Sequence, residues 1–503
     1  MAKITLDEMN PEMQAKQREI LEKFEKESKT RSFDHFLLAQ AVYWIAIGIA
    51  LYHFITSFIG YPATHLHRSL HVAMILFMTF FLYPVSRKSS RKTIPWYDIL
   101  FAIGAVAVAV YVWVDYINFV NRMGSPNTMD VIMGTILILL VLEASRRISG
   151  WPLVILSLIF LAYGLLGRNA PGIFMHRGYT WKALVNHIFI NTEGIYGTSV
   201  DVASSYIFLF IMFGTVMNKC GMGKFFNDLA LAFAGSSKGG PAKVAVIASG
   251  FLGSINGSAV ANVVTTGAFT IPLMKKTGYS KEFSGAVESS ASVGGQLLPP
   301  IMGAAAFIMA EMIGIKYSSI VISAAIPALL YYLGILIQVQ LRASKRNLQG
   351  IPKNELPKVK EVMKEQGHLL LPIVFLLYML LFSGSTVIFS AFWAIVATIV
   401  VSMSRKSTRM SLRQILDAFS EGTRAVVSVA VACAVVGIII GVVSVTGFGL
   451  NMANAIIQLG QSNLMATLLL TMVTCMILGM GLPSIPAYLI TATMAAPALV
   501  RLG

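Results

Sequence analysis

The stretch "GSINGSAVAN", residues 253–262, places small and uncharged polar residues in one of the most apolar regions of the chain. Lys243 and Lys275 bracket this region, and one continuous helix between them would be about 47 Å long, well over the roughly 30 Å hydrocarbon core. Such a helix would also put its two basic flanks on opposite faces of the membrane. Two half-helices that fold back at "SINGS" resolve both difficulties. The sequence therefore predicts a re-entrant hairpin over 244–274 with a polar tip inside the membrane.

The composition of the whole chain is that of a polytopic membrane protein. Its 503 residues are 56% hydrophobic and only 12% charged, with a mean hydropathy of +0.72. A soluble domain would carry about a quarter charged residues. The net charge of +16 is interpreted as a topology signal, because Lys and Arg collect in cytoplasmic loops, so no nucleic-acid partner is expected. Cys220, Cys433 and Cys475 have no metal-like spacing and are expected to be packing residues.

Apolar runs predict the other membrane helices, and basic clusters predict their orientation. Basic residues follow the second and fourth spans, which places those ends and the N-terminus in the cytoplasm. Residues 1–34 read as a cytoplasmic amphipathic segment without the apolar core of a signal peptide. The predicted spans lie at about 35–58, 71–86, 97–119, 130–146, 151–167, 203–218, 319–340, 369–383, 387–403 and 423–446.

The span that follows the hairpin, about 283–312, reads "SSASVGGQLLPPIMGAAAF" in its middle. Its glycine pair and proline pair are too costly for an unbroken helix. A discontinuous helix beside a re-entrant hairpin is typical of a midplane binding site, where Ser and Asn side chains and freed carbonyls suit a partly dehydrated small cation. The alternative is a small-residue seam for helix packing. Glu288 either reaches the interface or pairs with a Lys, or it takes part in transport.

An internal repeat supports the site. "TGFGLNMANAI" (446–456) resembles "CGMGKFFNDLA" (220–230) at an offset of 226, and the same offset carries Gly253 onto Gly479. The second tip reads "GMGLPSIPAYL", again with helix-breaking residues in an apolar run. An odd number of crossings separates the copies, so the second hairpin is expected to enter from the opposite face. The predicted fold class is an all-α polytopic membrane protein with an inverted repeat, two re-entrant hairpins and a discontinuous helix.

At these residues, from "GSINGSAVANVVTTGAF" to "GGQLLPPIMG" and in "GMGLPSIPAYLITATMAAPA", the sequence resembles the permease of tripartite ATP-independent periplasmic (TRAP) transporters. The form it resembles has the small and large membrane subunits fused and is paired with a TAXI-type binding protein. The resemblance implies small-subunit-like helices over 35–128, extending as far as about 168, and a large-subunit-like transport domain over 129–503. It also implies that the family pattern continues beyond Gly503, so that the second repeat is incomplete here.

The resemblance further implies an elevator-type sodium symporter in a bacterial or archaeal cytoplasmic (inner) membrane. Sodium would be the coupling ion, with no other metal and no cofactor, and the substrate a small carboxylate or other organic anion delivered by a periplasmic binding protein. Substrate would lie between the two tips, at residues that the resemblance does not identify. By the same resemblance, the residues that would form the sodium sites are Ser254, Asn256, Gly257, Ser258, Gly294, Gly295, Gln296, Gly479, Gly481, Pro483 and Ser484.

Two other classes of function stay open. A channel-like pore, or an anion/sodium symporter that needs no binding protein, would share the re-entrant tips. An intramembrane enzyme has little support, because there is no HExxH motif, no paired intramembrane aspartates and no Ser–His arrangement. The sequence contains no Walker A motif, which argues against a built-in ATPase. "HLHRSLH", residues 65–71, is interpreted as a polar outer loop rather than a metal site.

Overall fold

A computed structural model describes residues 30–33, 35–61, 63–86, 89–459, 463–479, 482 and 484–502. These residues form helices and loops, with no β-strand among them. Nine helical segments of the described chain are long and apolar enough to cross a membrane, so the chain is an all-α multi-pass membrane protein, as predicted. They are Phe36–Ile59, Thr64–Leu82, Trp96–Val114, Thr128–Ile148, Trp151–Asn169, Thr198–Lys219, Tyr317–Lys345, Lys353–Leu381 and Leu412–Thr446. Of the amphipathic segment expected over 1–34, residues 1–29 and 34 lie outside the described residues.

Shorter helices complete the fold. The region of the expected hairpin and broken helix contains Gly240–Asn256, Ala259–Lys276, Lys281–Gly294 and Ala304–Ile313, and a second pair consists of Leu464–Gly479 and Ser484–Leu502. The remaining α-helices are Tyr116–Asn121, Trp181–Val185, Met222–Ala234, Val359–Gln366, Val387–Ser402 and Phe448–Leu459. Within the span Lys353–Leu381, the regular membrane helix is Leu371–Leu381, close to the predicted 369–383.

The "HLHRSLH" stretch corrects one expectation. It was expected in an outer loop before a span that starts at 71, but the helix begins at Thr64 and buries these side chains. Arg68 is held there because its Nη2 lies 2.9 Å from Asp201 Oδ2 and its Nη1 donates to the Tyr196 carbonyl at 2.7 Å. Internal partners therefore replace the water that a polar loop would need. The described residues contain no group of three or more His, Cys, Asp or Glu side chains arranged to hold a metal ion.

The chain forms two compact units. The first contains Ala50–Phe58 and Tyr206–Gly422. Its core joins small side chains of the hairpin, such as Ala242 and Ala245, to Ala291 of the broken helix and Tyr332 of Tyr317–Lys345. Small residues on the hairpin arms let the helices approach closely. Such close packing holds helices together inside a membrane, where the hydrophobic effect does not drive their association.

The second unit contains Ile59–Ser205 and Thr423–Gly503, together with the described residues up to Ile49. A buried ion cluster connects helix ends of this unit that are predicted to lie on the cytoplasmic side. Asp98 pairs with Arg31 and, at 2.7 Å, with Arg147, and the side chains of all three have 0% exposure. Arg147 also bonds Glu143 at 2.8 Å. The buried charges are compensated inside the protein, because the two arginines share Asp98 and also bond backbone carbonyls and Glu143.

The helix bounds follow the predicted internal repeat. The offset of 226 carries the start of Met222–Ala234 onto the start of Phe448–Leu459, and it carries the start of Ala259–Lys276 to residue 485, one residue after the start of Ser484–Leu502. In both copies the helix is preceded by a glycine with positive φ, Gly221 at +95° and Gly447 at +68°. The two copies therefore share one sequence-to-structure pattern, while their opposite orientation in the membrane stays a prediction.

Candidate functional site

The first hairpin turns at the residues that the sequence indicated. Its arms, Gly240–Asn256 and Ala259–Lys276, are joined by Gly257 and Ser258. Gly257 has a φ of +61°, and a Cβ atom there would lie 2.3 Å from the Met302 carbonyl oxygen. Only glycine fits this position, because both the left-handed conformation and the close approach exclude a side chain. Ser258 begins the second arm, with Oγ accepting a hydrogen bond from the Ala261 N–H at 3.3 Å.

The broken helix packs its unwound part on this tip. The helix ends at Gly294 and resumes at Ala304. A Cβ atom on Gly253 would lie 2.6 Å from Gly295 Cα, so the two backbones touch. The Ile301 N–H donates to the Ser254 carbonyl at 3.1 Å. The structure thus brings the predicted tip residues and the predicted unwound segment together in one unit.

Two groups secure the unwound segment itself. The Gln296 carbonyl accepts a hydrogen bond from the Gly303 N–H at 2.7 Å, which closes the loop. The hydroxyl of Tyr317 donates to the Pro300 and Ile301 carbonyls. Sequence reasoning missed Tyr317, whose position at the start of the next span gave no sign of this contact. These bonds satisfy part of the backbone that the break exposes.

Asn256 is the most polar side chain of the tip. Its Oδ1 accepts a hydrogen bond from Asn218 Nδ2 at 3.2 Å. Its Nδ2 is buried and, among the described residues, has no hydrogen-bond partner. Asn218 was not predicted. The one sign of its role in the sequence is that it is a polar residue near the end of the largely apolar helix Phe208–Lys219. A buried amide with an unused donor suits a ligand that offers an acceptor, such as a carboxylate.

Glu288 is buried inside the first unit. Its side chain is fully buried and accepts hydrogen bonds from serine and threonine hydroxyls, with no lysine or arginine ion pair in the described part of the chain. The interfacial or lysine-paired interpretation is therefore wrong. The reason is that Lys281–Gly294 packs this face against both hairpin arms, so that the carboxylate points into protein.

The second hairpin is described in part. Gly479 is the last residue of Leu464–Gly479 and faces open space, and Ser484 is the exposed first residue of Ser484–Leu502. The predicted tip residues Gly481 and Pro483 lie outside the described residues. Phe448–Leu459 packs on this hairpin closely enough that a Cβ atom on Gly449 would lie 2.8 Å from the Thr493 carbonyl oxygen.

Comparison with known proteins adds a family to this geometry. Residues 136–503, well over half of the chain, match the family model of the tripartite ATP-independent periplasmic transporter, DctM component. The chain belongs to this family. This confirms the resemblance to the TRAP transporter permease, while the fused form and the pairing with a TAXI-type binding protein stay predictions. The members named below are permeases rather than enzymes.

The DctM relatives match over limited stretches. The chain is 27% identical over 176 residues to a putative TRAP transporter large permease protein of Haemophilus influenzae, covering 34% of this chain and 41% of that protein. It is 32% identical over 155 residues to the C4-dicarboxylate TRAP transporter large permease protein DctM of Vibrio cholerae, covering 31% and 33%. It is 35% identical over 91 residues to the isethionate TRAP transporter permease protein DctMQ of Oleidesulfovibrio alaskensis, covering 18% and 14%. The chain spans less than half the length of these curated relatives.

Proposed function

We propose that this chain is the membrane permease component of a sodium-coupled secondary uptake system for a small carboxylate or other organic anion. A periplasmic substrate-binding protein of the TAXI type would deliver the anion to a permease in the bacterial or archaeal inner membrane, with its N-terminus in the cytoplasm. Two of the relatives carry names that specify a C4-dicarboxylate and isethionate, both organic anions.

The convergence of four half-helix ends at one tip carries the proposal. Gly240–Asn256 and Lys281–Gly294 both end where Gly253 contacts Gly295, so two negative dipole ends meet there. Neither half-helix has a basic residue in its last turn to neutralise that end. A small cation beside the carbonyls of Ser254 to Ser258 and of Gly294 to Gln296 is stabilised by both dipoles.

A negative charge is favoured close to this proposed cation position. Ala259–Lys276 and Ala304–Ile313 begin on either side of the contact between Gly257 and the Met302 carbonyl, which brings two positive dipole ends near the tip. Half-helix N-termini of this kind suit the carboxylate of a substrate. A cation at one pair of ends and an anion at the other would strengthen each other's binding, which is the basis of symport. Gly479, Gly481, Pro483 and Ser484 stay candidates for a second sodium site.

Sodium binding can be tested without a known substrate. Purified full-length protein should unfold at a higher temperature in NaCl than in choline chloride of equal ionic strength, because a ligand that binds only the folded state stabilises it. Asn256→Ala should reduce that sodium-specific shift, whereas Asn354→Ala, in an exposed polar loop, should keep it. An equal shift in both salts for the unmodified protein would contradict the sodium site.

Uptake separates the proposed function from its alternative. Proteoliposomes would be given labelled C4-dicarboxylates and isethionate, with and without a sodium gradient and a TAXI-type binding protein. We expect uptake to need both, with a loss of about tenfold, or about 1.4 kcal/mol, when either is omitted. Uptake that needs neither would identify a binding-protein-independent symporter or a channel-like pore.

A further inference from the structure

Glu288 is surrounded by hydroxyl groups. Its side chain has 0% exposure, and Oε1 accepts hydrogen bonds from Ser249 Oγ at 2.9 Å and from Ser292 Oγ at 3.2 Å. Thr266 donates to the same oxygen, and Thr270 donates to Oε2. These four hydroxyls come from both hairpin arms and from the helix of Glu288 itself. A fully buried carboxylate without a cationic partner in the described part of a membrane protein is a candidate functional position.

The two threonines have alternative acceptors. Thr266 Oγ1 also lies 2.8 Å from the Asn262 carbonyl oxygen, and Thr270 Oγ1 lies 3.0 Å from the Thr266 carbonyl oxygen. Each hydroxyl has a single hydrogen to donate. It can give that hydrogen to an ionised carboxylate, or turn to the backbone carbonyl and accept a hydrogen bond from a protonated carboxyl group. The cluster is therefore satisfied in both protonation states.

The packing favours a proton over a metal ion. The hydroxyl and carboxylate oxygens already contact one another directly, and Ser249 Oγ lies 3.0 Å from Thr266 Oγ1. A metal cation would have to separate oxygens that now share hydrogen bonds. A proton needs no such space.

Few other ionisable groups face this carboxylate. The elements packed on the helix of Glu288 are the two hairpin arms and Tyr317–Lys345. From the last of these, Tyr332 faces Glu288, and its hydroxyl donates to the Ala291 carbonyl at 2.8 Å. The charged residues of these elements occupy the end turns of their helices: Lys243, Lys275, Lys276, Lys281, Glu282, Arg342 and Lys345. The nearest polar neighbours of the Glu288 carboxylate are therefore hydroxyl groups rather than charged side chains.

A row of polar residues connects Glu288 with the hairpin tip. Ser258, Asn262, Thr266 and Thr270 recur every four residues and so share one face of the second arm. Asn262 is fully buried and donates from Nδ2 to the Ser249 carbonyl at 2.8 Å, while its own N–H bonds the Ser258 carbonyl at 3.0 Å. Hydrogen bonds therefore run from Thr266, a partner of Glu288, through Asn262 to Ser258 at the tip.

We propose that Glu288, with Ser249, Thr266, Thr270 and Ser292, forms a reversible proton-binding site in the first hairpin region. A proton from water adds to the ionised carboxylate to give the neutral acid, and the reverse step returns it. The site is separate from the proposed sodium residues. Its role in transport rests on the proposed function, whereas the protonation does not.

Infrared difference spectroscopy of the full-length protein between acidic and alkaline sodium-free buffers tests this site. We expect a carbonyl-stretch band of a buried, protonated carboxyl group that Glu288→Gln removes. Glu282→Gln, a change at an exposed carboxylate on the same helix, should leave that band in place. A band unchanged in Glu288→Gln, or no such band in the unmodified protein, overturns the proposal.

Thr270→Val provides a second test that keeps the carboxyl group. Removing a hydroxyl that donates to the ionised form should move the midpoint of the Glu288 band to higher pH. An unmoved midpoint overturns the proposed hydrogen-bond switch, including in the case that Glu288→Gln fails to fold. Because neither measurement needs sodium or substrate, a failure here is distinct from a failure of the uptake experiment.

Discussion

The glycines of the first hairpin region have different structural roles. Gly257 combines a positive φ with a close carbonyl, and Gly253 and Gly295 provide a backbone contact, but a Cβ atom on Gly285 would meet nothing within 4 Å. The sequence alone indicated that glycine-rich segments turn or break helices. It could not distinguish a sterically locked glycine from a tolerant one, because that depends on the atoms brought opposite by folding.

Gly257→Ala should destabilise the protein. The left-handed conformation costs a side chain about 1–2 kcal/mol, and the new Cβ would also meet the Met302 carbonyl. Thermal unfolding in detergent measures the effect. Gly285→Ala is the matched control and should be neutral or stabilising by up to about 1 kcal/mol, because it lies in a helix with open space around it. If the Gly257→Ala variant were as stable as the unmodified protein, residue 257 would not have the left-handed conformation and the close carbonyl contact described above.

Residue identities at the tip were partly predictable. Ser254, Asn256 and Ser258 stood out because polar residues are costly in an apolar run. Asn218 did not, because it ends a segment that reads as an ordinary membrane helix, and Ser249 did not, because it lies in an arm of the predicted hairpin rather than at its tip. Their partners, Asn256 and Glu288, become apparent only when the helices pack together.

At the scale of elements, the hairpin was predictable because its length conflicts with membrane thickness. The structure replaces the single long helix by Gly240–Asn256 and Ala259–Lys276, within a few residues of the predicted halves. The helix Thr64–Leu82 was harder to predict, because its polar first turns are stabilised by distant partners such as Asp201. The start of Leu412–Thr446, predicted at 423, was missed for a similar reason, since its first turns are polar.

Cysteine labelling tests the re-entrant element. Lys238→Cys and Lys276→Cys are both exposed and lie at the outer ends of the two arms. In a background without Cys220, Cys433 and Cys475, both should react with an impermeant thiol reagent from the same membrane face. Reaction from opposite faces would mean that the segment crosses the membrane.

The buried ion cluster of the second unit allows a stability prediction. Asp98→Ala would leave Arg31 and Arg147 without their shared carboxylate, and removing one partner of a buried pair costs about 3–5 kcal/mol. Asp115→Ala removes a partly exposed partner of Arg122 and should cost much less, because water screens an exposed pair. Thermal unfolding of both variants measures the difference. Similar costs for the two would show that burial adds little to the cluster.

At the scale of the whole molecule, each compact unit is built from stretches that are separated along the chain. The first unit takes Ala50–Phe58 from an early helix and Tyr206–Gly422 from the middle of the chain, and the second takes Ile59–Ser205 and Thr423–Gly503. The division into small-subunit-like and large-subunit-like regions near 128 stays a prediction. Sequence composition gives no sign of such discontinuous units, because they arise from packing between distant helices.

The positive-inside rule predicts the topology of the entire chain. Met175→Cys, in the outer segment before Trp181–Val185, should react with an impermeant reagent from the periplasmic face. Asn354→Cys, in the polar loop after Tyr317–Lys345, should be protected in intact cells and react after permeabilisation. Labelling of both positions in intact cells would contradict the predicted orientation.

The sequence by itself determined that this chain is a helical membrane protein with two interrupted, glycine-rich hairpin regions in a repeat. Hydropathy and membrane thickness act locally along the chain, so they can be read from residue order. Only the tertiary structure decided that Gly253 touches Gly295, that Asn218 bonds Asn256 and that four hydroxyls enclose Glu288. Those contacts join residues far apart in sequence, and their energies depend on close packing and directed hydrogen bonds that exist only once the helices are assembled.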